Sequence, residues 1–523
     1  MSETLNMAKV SAKGVFNLFW GLTTSSLISA IGVIIVARLL SPSEYGLVTI
    51  ALMAPTLVML FRDWGINSAM IKYIAQYRSE NRTARVRSII ASGTLFELTL
   101  GIALSITSFS LSGFMATSIF HRPEIKPLIE IASLIILASA VITSAQSTFT
   151  GFEKMQYSSL TMIAQSTLKT LLAPTLVILG YGALGVILGQ TVALIITSAS
   201  TTLMVYMKFY KKINNKDDAL RLTENMKVML KYGLPLSAST ILGGTLTQIY
   251  SFLTAIYCTN TMIGNYQAAL NFSVLITFFA TPITTVLFPA FSKINPEKNM
   301  ETLRNVFQLS VKYAAFLVVP VASATIALSK PLVFTLFGEK YVHAPLFLAL
   351  TAVGYLYTAF GSLSLGNLLN GQGKTKTTMK LTLITIATGL PLSLILIPKL
   401  GIIGLLITNL AAGIPSLTIG LWWIKRTYGT SIHWKSSTKI LSASATAAAI
   451  AYAITSQLNL PNWITLIIGA TAFLTTYTTT APLIGAINRT DVKNIKEMLE
   501  ELKPIANLFS PLLNIIEKLT LNA

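Results

Sequence analysis

Charged side chains set within long apolar segments are the residues of this sequence best suited to chemistry. Glu97 is the tenth residue of the apolar segment 88–111, and Lys169 is the thirteenth residue of the segment 157–179. If both segments are membrane-spanning helices, a rise of 1.5 Å per residue places the two side chains at depths of roughly 15 and 20 Å, near the midplane. An ionisable group there costs about 2.5–3.5 kcal/mol on insertion scales. We therefore predict an ion pair between Glu97 and Lys169, direct coupling to a substrate or proton, or both.

Four further charged residues lie close to the ends of apolar segments. Arg38 follows the first segment, Arg62 and Asp63 follow the second, and Lys312 is the seventh residue of the segment 306–328. The cations among them could bind an anion such as phosphate, which a guanidinium matches with two parallel hydrogen bonds. The alternative is that they anchor helix ends by extending their charges to the lipid headgroups.

The segments that must position these residues recur about fourteen times along the 523 residues. Hydrophobic residues make up 53% of the chain and charged residues 11%, against about 25% charged in soluble domains. Each segment approaches the roughly 20 residues that a spanning helix needs. The sequence therefore predicts an all-α, polytopic membrane protein. The predicted spans are 14–37, 46–61, 88–111, 127–148, 157–179, 183–207, 232–257, 264–290, 306–328, 342–368, 378–397, 402–424, 439–456 and 463–485.

The distribution of Lys and Arg predicts the orientation of these spans. With an even number of spans and a cytoplasmic N-terminus, 31 of the 39 Lys and Arg residues fall in cytoplasmic segments and six in external ones. The remaining two, Lys169 and Lys312, lie inside predicted helices. Because cytoplasmic loops of membrane proteins are enriched in Lys and Arg, we expect both termini in the cytoplasm of a cell-membrane protein.

The net charge of +20 follows mainly from this topology, so it is weak evidence for a nucleic-acid partner, and none is expected. A single cysteine, Cys258, excludes an intramolecular disulfide and a cysteine metal cluster, and the three histidines lack ligand spacing. The chain has no P-loop and no nucleophile motif. We expect neither an enzyme nor a cofactor.

The first half of the chain is repeated in the second at an offset of 219 to 221 residues. The matched stretches are Ser147–Lys154 with Asn367–Lys374, Gly182–Gly185 with Gly401–Gly404, and Glu44–Gly46 with Asn265–Gln267. Six predicted helices separate equivalent positions, so both copies have the same orientation in the membrane. We predict an N-terminal lobe (1–207), a cytoplasmic linker (208–231), a C-terminal lobe (232–424), two additional helices (425–485) and a cytoplasmic tail (486–523).

The tail has apolar residues at helical spacing between charged ones. These apolar residues are Val492, Ile495, Leu499, Leu502 and Ile505. The pattern predicts an amphipathic helix on the cytoplasmic membrane surface, and the alternative is a helix that docks on a partner.

Three motifs carry a resemblance to a known family. Leu39–Gly46 follows the first span, Asp63–Ala69 follows the second, and Tyr232–Pro235 opens the seventh. In these stretches the chain resembles the polysaccharide transporter family of lipid-linked oligosaccharide flippases, within the multidrug/oligosaccharidyl-lipid/polysaccharide exporter superfamily. The resemblance covers the first twelve spans, and the total of fourteen spans also agrees with this family. It implies two six-helix lobes around a central cavity, with two extra helices, that alternate between inward and outward openings.

The resemblance also implies a function. Such proteins move an isoprenoid (pyro)phosphate-linked oligosaccharide from the cytoplasmic to the outer leaflet, and the lipid-linked oligosaccharide and membrane lipids are then the expected partners, with glycosyltransferases or polymerases as candidates. The candidates for substrate binding or coupling are Arg38, Arg62 and Asp63, which lie near the family's motifs, together with the intramembrane residues Glu97, Lys169 and Lys312. The alternatives are a cation-coupled multidrug exporter of the same superfamily and, third, a membrane assembly factor that transports nothing.

Overall fold

The structure is a computed structural model that describes residues 2–62, 64–211 and 222–500, together with residues 514 and 517. Within these residues the chain is helical and contains no strand, so the predicted all-α class is confirmed. The chain divides into two compact units, Met1–Gly264 (unit 1) and Asn265–Ala523 (unit 2). The lobe, linker and tail boundaries drawn from the sequence repeat stay a prediction.

Unit 1 contains α1 to α8 and the first turn of α9. Their bounds are α1 Ser2–Leu39, α2 Pro42–Met59, α3 Ile66–Ser79, α4 Thr83–Phe114, α5 Lys126–Gly151, α6 Met155–Leu176, α7 Gly182–Val205, α8 Leu222–Tyr257 and α9 Asn260–Ser292. Short π-helical segments follow α4, α6 and α7, and one 3-10 turn precedes α5.

Unit 2 contains the remainder of α9 and the helices that follow it. Their bounds are α10 Met300–Ala327, α11 Ser329–Phe337, α12 Ala344–Val353, α13 Ser362–Gly371, α14 Thr375–Leu400, α15 Ile402–Tyr428, α16 Trp434–Gln457, α17 Asn462–Leu483 and α18 Arg489–Glu500. A 3-10 segment, Gly354–Phe360, joins α12 to α13.

Local sequence signals explain where several helices begin and end. The Ser41 side chain accepts a hydrogen bond from the Glu44 backbone N–H, and the Glu44 side chain accepts one from the Ser41 N–H, which forms a capping box at the start of α2. Between α6 and α7 the chain reverses through Gly180 (φ +92°) and Gly182 (φ +50°). Residues with a side chain rarely adopt these angles, so the two glycines allow α6 and α7 to form a hairpin.

The helices of unit 1 pack through small and polar residues and leave large apolar ones on the outside. On the α1–α6 contact, the Thr170 hydroxyl donates to the Ile28 carbonyl at 3.0 Å, while Leu27 and Ile31 on α1 are exposed. In a bilayer, lipid tails solvate such side chains as well as a protein core does, so helix association relies on close packing and hydrogen bonds. The exposed apolar face of α1 is therefore a lipid-facing surface.

One large hydrophobic core cluster of unit 2 lies between α10, α16 and α17. It contains Phe316, Phe473 and Tyr477, with the rings of Phe316 and Tyr477 5.9 Å apart. The Tyr477 hydroxyl donates to the Phe316 carbonyl at 3.3 Å. A buried tyrosine hydroxyl needs such a partner, so this bond fixes α17 against α10.

Every one of the fourteen predicted spans overlaps a helix or, for 342–368, the α12–α13 pair over most of its length, and the spans 46–61, 306–328, 342–368 and 463–485 extend one or two residues past a helix end. Of the described helices, eight are long and apolar enough to cross a membrane, or nine if α12 and α13, bent by 55° at their junction, form one span. This count treats Met155–Tyr210, the α6–α7 hairpin, as a single element. A polytopic membrane protein is confirmed, whereas the number fourteen stays a prediction.

The beginning of the tail differs from the prediction. Asp491 and Val492, in the first turn of α18, are buried at 4% and 0% exposure, and Val492 belongs to the core cluster between α10, α16 and α17. The Asp491 carboxylate accepts hydrogen bonds from the Lys312 ammonium at 2.5 Å and the Tyr313 hydroxyl at 3.3 Å, both on α10. A helix that lies only on the membrane surface would leave this turn exposed, so the prediction is wrong for the first turn of α18.

We expect the Lys312–Asp491 pair to stabilise the docked tail. Asp491→Asn or Lys312→Met alone should destabilise the protein by about 3–5 kcal/mol, because each leaves one buried charge without its partner. The double variant should lose less than the sum of the two, since neither charge remains. Thermal unfolding of the purified protein in detergent measures the effect.

The control is Glu80→Gln, in the exposed pair with Arg82, which should cost less than about 1 kcal/mol. Equal losses in the Asp491 and Glu80 variants would contradict a stabilising role for the buried pair.

Candidate functional site

Arg62 lies just beyond α2 and directs its guanidinium into unit 1, where the side chain is 12% exposed. Its Nη1 donates to Oε2 of Glu97 on α4 at 3.4 Å and to the Thr143 hydroxyl on α5 at 3.2 Å. Three segments of the chain therefore meet at one guanidinium.

Glu97 is completely buried, and its second carboxylate oxygen is also bound. Asn67, in the first turn of α3, donates from Nδ2 to Oε1 of Glu97 at 2.7 Å, and the Asn67 Oδ1 accepts from the Ser147 hydroxyl on α5 at 3.2 Å. We call Arg62, Asn67, Glu97, Thr143 and Ser147 the polar cluster. It joins α3, α4 and α5 to the end of α2.

The α5 face of the cluster follows from a run of hydroxyl residues four apart. The Thr143 hydroxyl donates to the Ser139 carbonyl at 2.7 Å, and the Ser147 hydroxyl donates to the Thr143 carbonyl at 2.9 Å. Residues four apart lie on one face of a helix. By bonding to their own helix, these hydroxyls avoid the cost of an unpaired polar group, while the Thr143 oxygen still accepts from Arg62 and the Ser147 hydroxyl still contacts Asn67.

The electrostatics of the cluster leave donors available on Arg62. The guanidinium has five N–H donors, and its hydrogen bonds in the described part of the chain all come from Nη1. The Nε atom is buried with no hydrogen-bond partner among the described residues. The arrangement thus offers an unsatisfied, charged donor beside a carboxylate that balances the positive charge, and an anion with oxygen acceptors could use that donor.

Lys169 does not take part in the cluster, so the predicted ion pair between Glu97 and Lys169 is wrong. Glu97 binds Arg62 and Asn67 instead. The physical reason is helix placement: α4 packs against α3, α5 and α8, whereas α6, which carries Lys169, packs mainly against α1 and α7. Lys169 is half-buried, and within the described ranges it has no ion pair.

The remaining predicted residues are dispersed. Arg38 is exposed in the last turn of α1, where a cation interacts favourably with the helix C-terminus. Asp63 lies outside the described residues. Lys312 belongs to unit 2 and binds Asp491. Of the six predicted residues, the structure brings together Arg62 and Glu97, and any contact of the six with a substrate stays a prediction.

Several contact residues were missed by the sequence interpretation, although each had a signal. Asn67 belongs to the Asp63–Ala69 motif, and Thr143 and Ser147 belong to the hydroxyl series on α5. Asp491 is the third residue after Asn488, and the two exchange side-chain-to-backbone hydrogen bonds at 2.8 and 2.9 Å, as in a capping box.

A metal site has no support within the part of the chain described here. No group of three or more His, Cys, Asp or Glu side chains among those residues could hold a metal ion.

Comparison with known protein families gives two matches that each cover more than half of the chain. The model of the family "Polysaccharide biosynthesis protein" matches residues 11–295, and the model "Lipid II flippase MurJ" matches residues 157–473. The chain is also 26% identical over 370 residues to the lipopolysaccharide biosynthesis protein WzxC of Escherichia coli K12. That alignment covers 69% of this chain and 70% of the relative.

Solved structures support the fold. The inward closed conformation of the lipid II flippase MurJ matches with a TM-score of 0.71 and 18% identity, covering 89% of this chain and 98% of the other. The inward-facing conformation of a multidrug resistance MATE family transporter of the MOP superfamily matches with a TM-score of 0.62 and 19% identity, covering 79% and 99%. The fold is therefore that of this group of transporters.

The polar cluster leads to a test by double-mutant cycle. Glu97→Gln or Arg62→Gln alone should destabilise the protein by about 3–5 kcal/mol, since each leaves a buried charge uncompensated, and the double variant should cost clearly less than the sum. The measurement is the thermal unfolding of all four proteins in the same detergent.

The matched control combines Glu97→Gln with Lys169→Met. These two side chains are not paired, so their effects should add within about 0.5 kcal/mol. Additive effects for Arg62 and Glu97 would mean that the contact contributes nothing to stability.

Proposed function

The chain belongs to the polysaccharide transporter family of the multidrug/oligosaccharidyl-lipid/polysaccharide exporter superfamily, and from this premise we propose that it is a flippase for a lipid-linked oligosaccharide. The observation that carries the proposal is the match of both family models, a polysaccharide biosynthesis protein and a lipid II flippase, to more than half of the chain. We further propose that the lipid carrier is an isoprenoid (pyro)phosphate and that transport runs from the cytoplasmic to the outer leaflet.

The polar cluster has a feature that the transport of a charged, sugar-bearing headgroup requires. A headgroup of sugars and phosphate cannot cross hydrocarbon unaided, because unpaired polar groups and charges are very costly there. A transporter must offer such a group cationic donors within the membrane. Arg62 has a buried Nε without a partner among the described residues and a charge balanced by Glu97. We propose that a substrate phosphate engages the remaining donors of Arg62.

Arg38, Asp63, Lys169 and Lys312 stay candidates for substrate binding or coupling. Arg38 is exposed near the end of α1, at the external face in the proposed topology. We propose that it receives the phosphate there, through the two parallel hydrogen bonds that Arg forms with a phosphate group. Lys169 is half-buried in α6 and is a candidate for a second cationic contact.

The cycle that we propose is alternating access between the two repeated lobes, 1–207 and 232–424, by a protein that catalyses no chemical reaction. Transporters of this kind are in general not enzymes. Glycosyltransferases or polymerases that make or use the glycan are the proposed protein partners, and no nucleic-acid partner is proposed.

A cation-coupled multidrug exporter is the second candidate, because the fold is similar to that of a MATE family transporter. Such an exporter needs carboxylates that can take up cations. In unit 1 the buried carboxylate of Glu97 is already bound by Arg62 and Asn67, which favours the flippase.

The functional test is transport in proteoliposomes. A fluorescent polyprenyl-pyrophosphate oligosaccharide should become accessible to a membrane-impermeant quencher on the opposite side much faster than in protein-free vesicles. A fluorescent cationic drug, in the presence of a proton or sodium gradient, should not accumulate. Accumulation of the drug without movement of the glycolipid would establish the exporter instead.

Variants in this assay test the phosphate contact. Arg38→Lys keeps the charge but loses the bidentate geometry, so the flipping rate should fall by about tenfold, as for a loss of roughly 1.4 kcal/mol. Arg82→Lys, at an exposed position outside the cluster, is the control and should retain the wild-type rate. An unchanged rate in Arg38→Lys would make Arg38 an interfacial anchor.

The proposed topology has fourteen spans and cytoplasmic termini, on the basis of the charge distribution. Single cysteines at Ser43 and Asn299, in a protein with Cys258 replaced, should react with an impermeant maleimide from outside and from inside respectively. Reversed labelling at either position would overturn this topology.

A further inference from the structure

Arg122 forms hydrogen bonds that the proposed function does not use. It lies in the loop between α4 and α5 and reaches the segment from the last turn of α8 to the first turn of α9, residues 255–264, which we call the outer turn. Nε donates to the Asn260 side-chain oxygen at 2.5 Å, Nη1 to the Ala255 carbonyl at 2.6 Å, and Nη2 to the Cys258 carbonyl at 2.6 Å. Nη1 also donates to the Phe120 carbonyl of its own loop at 2.8 Å.

These bonds satisfy groups that the end of a helix leaves open. The carbonyls of Ala255 and Cys258 belong to the last turn of α8 and the residue after it, where no further helical N–H is available. A cation there is favoured by both hydrogen bonding and the helix dipole. The planar guanidinium reaches three acceptors of the turn at once, which a lysine ammonium on its flexible stem cannot reproduce.

A second contact holds the outer turn against the start of α2. A Cβ atom on Gly46 would lie 1.9 Å from the Asn260 carbonyl oxygen, and a Cβ on Gly264 would lie 1.8 Å from the Pro42 carbonyl oxygen. Any side chain at either position would clash with backbone, so the two segments touch through bare main chain. Surfaces of this kind can separate and rejoin without rearranging side chains.

The outer turn is also where the chain leaves unit 1. Gly264 is the last residue of unit 1 and Asn265 the first of unit 2. The Asn265 side-chain oxygen accepts hydrogen bonds from the backbone N–H groups of His343 and Ala344, at the start of α12 in unit 2. The bonds of Arg122 and those of Asn265 therefore hold consecutive parts of α9 to different units.

We propose that Arg122 is a positioning residue for transport, a latch that keeps the outer turn closed on α2 and the α4–α5 loop and releases it when the external face opens. This inference rests on the proposed flippase cycle. The sequence repeat assigns α8 and α9 to the second lobe, whereas their joining turn is bonded to α2 and to the α4–α5 loop of the first. In alternating access, opening at this face separates the two lobes there, so the contacts of the outer turn with the first lobe must break. Rotation of the Arg122 side chain away from the turn would break its three hydrogen bonds to the turn together.

A native cysteine can report the opening of the outer turn. Cys258 is the single cysteine of the sequence, lies within the latch and is 6% exposed. Burial raises the pKa of its thiol to about 11, although the nearby Arg122 charge acts in the opposite direction. Because a maleimide reacts with an exposed thiolate, the closed latch should protect Cys258.

The experiment measures labelling of Cys258 by a membrane-impermeant maleimide added outside intact cells. We expect slow labelling in the wild type and at least a roughly tenfold faster rate in Arg122→Gln, since charge-assisted hydrogen bonds that favour the closed turn are lost. Arg122→Lys should lie between the two. In Gly264→Ala the new methyl group would clash with the Pro42 carbonyl and push the outer turn away from α2, so Cys258 should also be labelled faster in this variant.

Lys126→Gln is the control, because it removes a nearby cation, at the start of α5, that pairs with Glu130 and not with the outer turn. This variant should label like the wild type. Thermal unfolding is recorded in parallel, because a merely structural role would speed labelling only as far as the protein unfolds. Wild-type labelling in folded Arg122→Gln and Gly264→Ala, or labelling that follows unfolding alone, would overturn the latch. No substrate is needed, so this outcome is independent of the flipping assay.

Discussion

The cost of an unpaired charge among membrane helices organises both units. In unit 1 the Arg62 guanidinium binds the buried Glu97, and in unit 2 the Lys312 ammonium binds the buried Asp491. Each pair connects a long helix, α4 or α10, to a segment that begins or ends nearby. Because breaking a buried pair is far more costly than breaking an exposed one, these contacts determine where the end of α2 and the start of α18 must lie.

Other contacts likewise provide hydrogen-bond partners for polar groups that would otherwise be unpaired. The hydroxyls of Thr143 and Ser147 satisfy themselves within α5 and still contact the cluster, and Arg122 satisfies the carbonyls at the end of α8. Packing between lipid-facing helices gains little from the hydrophobic effect, so directional bonds decide which helix ends meet. Reliance on directional hydrogen bonds also suits a transporter. A polar group can exchange one partner for a substrate or lose its partner during a movement, whereas a packed apolar core cannot exchange its contacts in this way.

Much of the architecture could be predicted from the sequence. All fourteen predicted segments lie mostly within helices, and Arg62 and Glu97 were each identified as candidates. Their pairing was not, because depth along a helix is only one coordinate. Glu97 and Lys169 lie at similar predicted depths, but α4 and α6 have different neighbours, and the direction in which a side chain points around its helix depends on those neighbours. The tail was predicted as a helix from its periodicity, which carries no information on which surface covers its apolar side.

The sequence by itself determined the helices, their apolar lengths, the charge distribution between loops and the capping box of α2. These properties depend on residues a few positions apart, or on composition, and they act before any tertiary contact forms. Only the tertiary structure decided which charges meet. Arg62 and Glu97 are 35 residues apart in the chain, and Lys312 and Asp491 are 179 apart. Contacts over such separations depend on how whole helices pack, because the electrostatic gain of a pair exists only once packing has brought its members within a few ångströms of each other.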